Sequence, residues 1–125
     1  MQQIDRKAKE HSAAISKILD LARYPHHCRP TGRVKEDLVR LRLSKGDILD
    51  EIIAHLKNAA LPVFYQVQTM YEKAEEMGYV FCPLRVNGID LYVKLVIPPA
   101  ESELRECLLI RAVHEPEFPC PEVHK

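Results

Sequence analysis

Residues Arg85–Ile97 read RVNGIDLYVKLVI. Asn-Gly tolerates the positive φ that both central positions of a two-residue hairpin turn require. On its far side Ile89, Leu91, Val93 and Leu95 alternate with Asp90, Tyr92 and Lys94, the period of a half-buried strand. On its near side YVFCPLRV, Tyr79–Val86, supplies the partner strand. A turn at Asn87-Gly88 sets the expected register: Val86 opposite Ile89, Arg85 opposite Asp90, Leu84 opposite Leu91, Pro83 opposite Tyr92, Cys82 opposite Val93 and Phe81 opposite Lys94. Val80, Cys82, Leu84, Val86, Ile89, Leu91, Val93 and Leu95 then share a core face. Phe81, Arg85, Asp90, Tyr92 and Lys94 share the other, with Arg85 and Asp90 as a cross-strand ion pair.

Upstream the period is helical. Ile4, Ala8, Ile15, Ile18, Leu19 and Ala22 predict a helix over about 4–23. The stretch YPHHCRPTG, Tyr24–Gly32, breaks it with two prolines and a glycine. A shorter helix is expected over about 33–43, with Val34, Leu38 and Leu41 on one side. Ser44 is placed to cap a third helix, with Asp47 three positions on as in a capping box. Ile48, Ile52 and Leu56 form its stripe, and Pro62 closes it. The segment VFYQVQTMY, Val63–Tyr71, fits a strand. YQVQTMYEKAEEMG, Tyr65–Gly78, reads better as a helix ended by glycine, with Val67, Met70, Tyr71 and Ala74 at helical spacing. After the hairpin comes a polar loop, PPAESELRE, and a third strand, CLLIRAVHE, ending at Glu115. Pro116, Pro119 and Pro121 mark a tail. Helices followed by strands predict an α+β fold, with N-terminal helices packed on a three-stranded antiparallel meander.

The chain has 125 residues and 46% apolar content, the size of one domain. Residues 1–30 read as a helical extension, 33–115 as the core and 116–125 as a proline-rich tail. No apolar run reaches the roughly 18 residues of a membrane span, and the first residues, with charges mixed throughout, do not form a secretory signal. A cytoplasmic protein with reduced thiols is therefore expected, with no membrane partner. Net charge is zero, which argues against a protein that coats nucleic acid. The charge is uneven, however. Arg23, Arg29, Arg33, Lys35, Arg40, Arg42 and Lys45 make the segment from Leu21 to Lys45 basic, whereas acids outnumber bases from Pro98 onward.

The open hairpin face offers Arg85, Tyr92 and Lys94, and the third strand adds Arg111 and His114. Lysine and arginine can hold phosphate and stabilise charge developing in a transition state. Histidine and tyrosine can serve as general base or acid. Cleavage of RNA by its own 2′-hydroxyl needs these groups, no metal and no cofactor. Each of these residues would also be ordinary on the solvent face of a strand. A second cluster joins His26 and Cys28 in the loop to Cys120 and His124 in the tail, a spacing open to zinc. Cys82 and Cys107 read as small strand hydrophobes. No glycine-rich phosphate loop is present.

GIDLYVKLVI followed by LLIRAVHE resembles the end of the motility quorum-sensing regulator family, toxins of the RelE-like ribonuclease superfamily. VFYQV, Val63–Val67, is similar to an upstream aromatic-Tyr segment of that family, and RVKEDLVRLRLSKGDILDEII to a helix pair of related small toxins. The resemblance covers about 33–115. It implies a metal-independent mRNA endoribonuclease of a type II toxin–antitoxin system, with RNA as substrate and a cognate antitoxin as protein partner. Contact with the ribosome and a homodimer stay open. Tyr92 falls on the family's strand tyrosine, His114 where members often carry a functional lysine, and Gln66 where a lysine follows the Phe-Tyr pair. The expected roles are catalytic for Tyr92, His114 and Lys94, and substrate-binding for Arg85, Arg111 and Gln66. The alternatives are a non-catalytic interaction module of the same fold and a small zinc-binding protein.

Overall fold

A computed structural model describes residues 13–58, 64–71, 74–98 and 107–120. Residues 13–22 are helical (α1). A single 3-10 turn, Pro25–His27, leads into a short strand, β1, Cys28–Pro30. Two helices follow, α2 (Val34–Leu41) and α3 (Lys45–Asn58). Then come β2 (Tyr65–Tyr71), β3 (Ala74–Val86), β4 (Ile89–Val96) and β5 (Leu108–His114). The α+β class holds. The expected stretches at about 4–12 and 121–125, and most of the polar loop after β4, lie outside the described residues.

Among the described residues the sheet has five strands in the order β1-β5-β4-β3-β2. This corrects the three-stranded meander. β2 through β5 pair antiparallel in sequence order, while β1 runs parallel to β5, Cys28 opposite Leu108. The helix expected over 65–78 is instead β2 and the start of β3, paired from Tyr65↔Val80 to Tyr71↔Ala74. The reason is tertiary. The apolar residues of this segment are compatible with both periods, and β3 extends far enough before the hairpin to give it a full ladder. β1 lies inside the stretch expected as a loop that breaks the first helix.

The Asn87-Gly88 hairpin forms as expected from Leu84↔Leu91 to Val86↔Ile89. Beyond it the register slips: Phe81 pairs with Val93 and Val80 with Lys94. Cys82 and Pro83 therefore stand together opposite the single residue Tyr92, a β-bulge at the cis Cys82-Pro83 bond. One extra residue exchanges the faces of everything before it. Phe81, expected on the open face, is fully buried in the core. Val80 and Cys82, expected in the core, are buried outside that cluster, Val80 on Lys94's row and Cys82 beside Tyr92.

The core lies between the helices and one sheet face. Ile18 and Leu21 from α1, Val34 and Leu38 from α2, and Ile48, Leu49 and Ile52 from α3 meet Phe81, Leu84, Leu91, Val93, Leu95, Leu108, Ile110 and Val113. Ser44 caps α3 as a reciprocal box: its backbone N–H donates to Asp47 Oδ2 at 2.8 Å, and the Asp47 N–H donates to Ser44 Oγ at 3.1 Å. The face away from the helices carries Tyr92 and Lys94, which alternate with the buried residues of β4.

Candidate functional site

Alternation along β4 puts Tyr92 and Lys94 on the face opposite the helices. Pairing with β5 then brings His114 directly beside Tyr92. Their rings stack, with centroids 5.0 Å apart and planes 10° from parallel. The His114 Nδ1 lies 2.8 Å from the Glu115 carbonyl oxygen. A carbonyl only accepts, so Nδ1 carries the proton and donates it. In the neutral ring Nε2 is then the nitrogen with the lone pair, ready to take a proton.

Tyr92 is partly buried, and that burial raises its phenol above the ordinary tyrosine range. It stays protonated at neutral pH and can donate. Tyr65 on β2 faces the same side, opposite Val80 and so in line with Lys94. Its phenol is also raised, first by burial and then by the charge Tyr92 would carry when ionised. Lys94 sits two pairs along from Tyr92, the next residue on that face, between Val80 and Ala112.

Of the remaining expected residues, Arg85 and Gln66 are placed less centrally than Arg111. Arg85 is at the hairpin end, opposite Asp90 as expected, and its Nη1 lies 3.3 Å from Asp90 Oδ1. The pair is exposed on both sides and contributes a few tenths of a kcal/mol. Arg111 is the extra residue of a second irregularity, between the Lys94↔Ala112 and Leu95↔Ile110 pairs. Gln66 occupies the position opposite Tyr79, one row away from Tyr65. The structure thus brings Tyr92, His114 and Lys94 onto one face, adds Tyr65, places Arg111 in the bulge beside the Lys94↔Ala112 pair, and leaves Arg85 at the hairpin end.

Tyr65 was hidden by the helical reading of its segment; the signal for it was VFYQV itself. The second feature missed is covalent. Cys82 and Cys120 form a disulfide, which corrects both the expectation of four reduced thiols and the reading of Cys82 as a plain hydrophobe. It also takes the Cys120 thiolate from the zinc reading. Cys28, the other thiol proposed beside His26 and His124, is buried, and it donates to the Leu21 carbonyl at 3.4 Å. Among the described residues no group of three His, Cys, Asp or Glu side chains is placed to hold a metal ion. No described helix is long and apolar enough to cross a membrane. No known family, curated protein or solved structure matches this chain.

Proposed function

We propose that the protein is a metal-independent endoribonuclease, a toxin held in check by a cognate antitoxin in the cytoplasm. The observation that carries this reading is the Tyr92–His114 stack, with His114 held in the tautomer that leaves Nε2 bare. Nε2 takes the proton of a ribose 2′-hydroxyl. The freed oxygen attacks the adjacent phosphorus, and the 5′-oxygen leaves with a proton from the Tyr92 phenol. Lys94 offsets the charge that builds on the non-bridging oxygens. The products end in a 2′,3′-cyclic phosphate and a 5′-hydroxyl. An interaction module without activity is the second reading. It is favoured by the Arg85–Asp90 pair, which neutralises a cation that phosphate would otherwise use.

The test is incubation of the reduced protein with single-stranded RNA in the presence of a metal chelator. Cleavage with cyclic-phosphate ends is expected. His114→Ala should lower turnover by roughly 10²–10⁴-fold, the usual worth of a positioned acid or base. Lys94→Ala should act partly through binding and so depend on salt. Equal cleavage by wild type and the His114→Ala/Tyr92→Phe double variant would remove this site from consideration. No cleavage at all, with no growth defect on expression, would leave the interaction module.

A further inference from the structure

Two residues beside Tyr92 are joined through the tail. His114 pairs with it from β5 and Cys82 stands opposite it in the β3 bulge. The chain leaves His114 as Glu115-Pro116-Glu117-Phe118-Pro119, and Cys120, six residues on, bonds to Cys82. β5 and β3 are the two neighbours of β4, so their separation is two strand spacings, roughly 10 Å. Six residues can reach about 20 Å, so the segment has slack to bow over the residue between its anchors, which is Tyr92. Cys82 lies outside the helix-side core, so the bond to Cys120 draws the tail over the same face that bears the Tyr92–His114 stack. The first residue of the tail is fixed as well: Arg40 of α2 donates to Glu115 Oε1 at 3.3 Å. Pro116 and Pro119 stiffen the path. The segment carries two carboxylates and an aromatic ring, Phe118, that is 79% exposed.

We propose that residues 115–120 form a redox-latched strap. The Cys82–Cys120 disulfide holds an acidic segment beside the Tyr92–His114 row, and its reduction frees the segment and opens that row to the phosphodiester backbone of RNA. The ligand class rests on the function proposed above; the latch itself concerns access and is testable without cleavage. Glu115 is held by Arg40 of α2, and Glu117 carries the kind of charge a phosphate backbone would bring, so the closed strap repels that backbone. Cys120 is partly exposed and Cys82 is buried, so a reducing thiolate attacks Cys120 Sγ. The S–S bond breaks and Cys82 leaves as a thiolate that takes up a proton. The second thiol of a dithiol reductant then displaces Cys120 from the mixed disulfide. Two protein thiols and one oxidised dithiol result, a balanced two-electron exchange. A reducing cytosol would hold the strap open, and oxidation would shut it.

Diethyl pyrocarbonate acylates a bare imidazole nitrogen, releasing ethanol and carbon dioxide, and peptide mass spectrometry reads each histidine separately. Full-length oxidised protein is compared with protein reduced by dithiothreitol, with release of both cysteines confirmed by alkylation. Reduction should raise the His114 rate several-fold and leave exposed His26 unchanged. Cys120→Ser should react fast with or without reductant. Should that variant unfold, shown by alkylation of buried Cys28, a second chain replaces it: two glycines inserted between Glu117 and Phe118 keep the disulfide but lengthen the strap. Its oxidised form should show a raised His114 rate. An equal His114 rate in oxidised and reduced wild type, with an unchanged circular dichroism spectrum, overturns the latch. A latch that opens on a protein that cuts no RNA overturns the ribonuclease reading and leaves the strap standing.

Discussion

Gly88 has φ +83° and Asn87 φ +50°, so both centres of the hairpin turn occupy the left-handed region. A Cβ at Gly88 would meet nothing within 4 Å. The cost of a side chain there is therefore backbone strain alone. Gly88→Val should lower stability by about 1 kcal/mol or more, because a β-branched residue resists positive φ. An unchanged denaturation midpoint would refute the turn. Cys28 makes a different kind of demand. Burial pushes its thiol up to about 11 from an ordinary 9.0; Lys45 nearby pulls it down and Cys107 pushes it up, both by less than burial. Below pH 9 the folded and unfolded chains both hold the proton. Between about 9 and about 11 the unfolded chain sheds it and the folded chain keeps it, so stability falls as pH rises, by of order 2 kcal/mol for a shift of this size. Tyr65 and Tyr92, both raised above the ordinary 10.0, add slope of the same sign from about pH 10 upward. Urea midpoints across this range should fall more steeply in wild type than in Cys28→Ala; parallel curves would show that the thiol is not the titrating group.

Among elements, α2 shows how a helix can end against propensity. Arg42 follows it with φ 58°, and its N–H donates to Leu38 and Val39 while Leu43 N–H donates to Leu38. This is a Schellman close, and Leu38 and Leu43 are both buried in the core as that motif favours. The position ordinarily holds glycine, so Arg42→Gly should stabilise the protein by about 0.5–1 kcal/mol. A lower melting temperature would count against this account. At the other side of the turn, Ser44→Ala removes half of the capping box and should cost about 1 kcal/mol, read as a lower denaturation midpoint. The Ser44–Asp47 box was legible because capping is local: the partners are three residues apart. The strand character of residues 65–78 was not. Its apolar residues satisfy a helical stripe as well as a ladder, and only the length of β3 decides between them.

For the whole molecule, the Cys82–Cys120 bond spans 38 residues. Closing a loop of that size removes unfolded-chain entropy worth roughly 3–4 kcal/mol. Oxidised protein should therefore unfold at a higher denaturant concentration than reduced protein, and equal midpoints would mean that the bond does not form in solution. The candidate site divides along the same line. Tyr92, Lys94 and their shared face followed from period two and an Asn-Gly turn, both of which act between residues close in the chain. The hairpin next to the turn, the capped third helix, the strand ending at His114 and the α+β class were determined in the same way, by patterns of burial and backbone preference that repeat every few residues. The tertiary structure alone decided that Cys82 and Pro83 share one place in the ladder, moving Phe81 into the core and Cys82 out of it. It alone seated β1 beside β5, set His114 against Tyr92 and joined the tail to β3. Each of these is a pairing between segments distant in the chain. A residue's own preferences do not encode which of several compatible partners will bury it, and that choice is made by the packing of the whole chain.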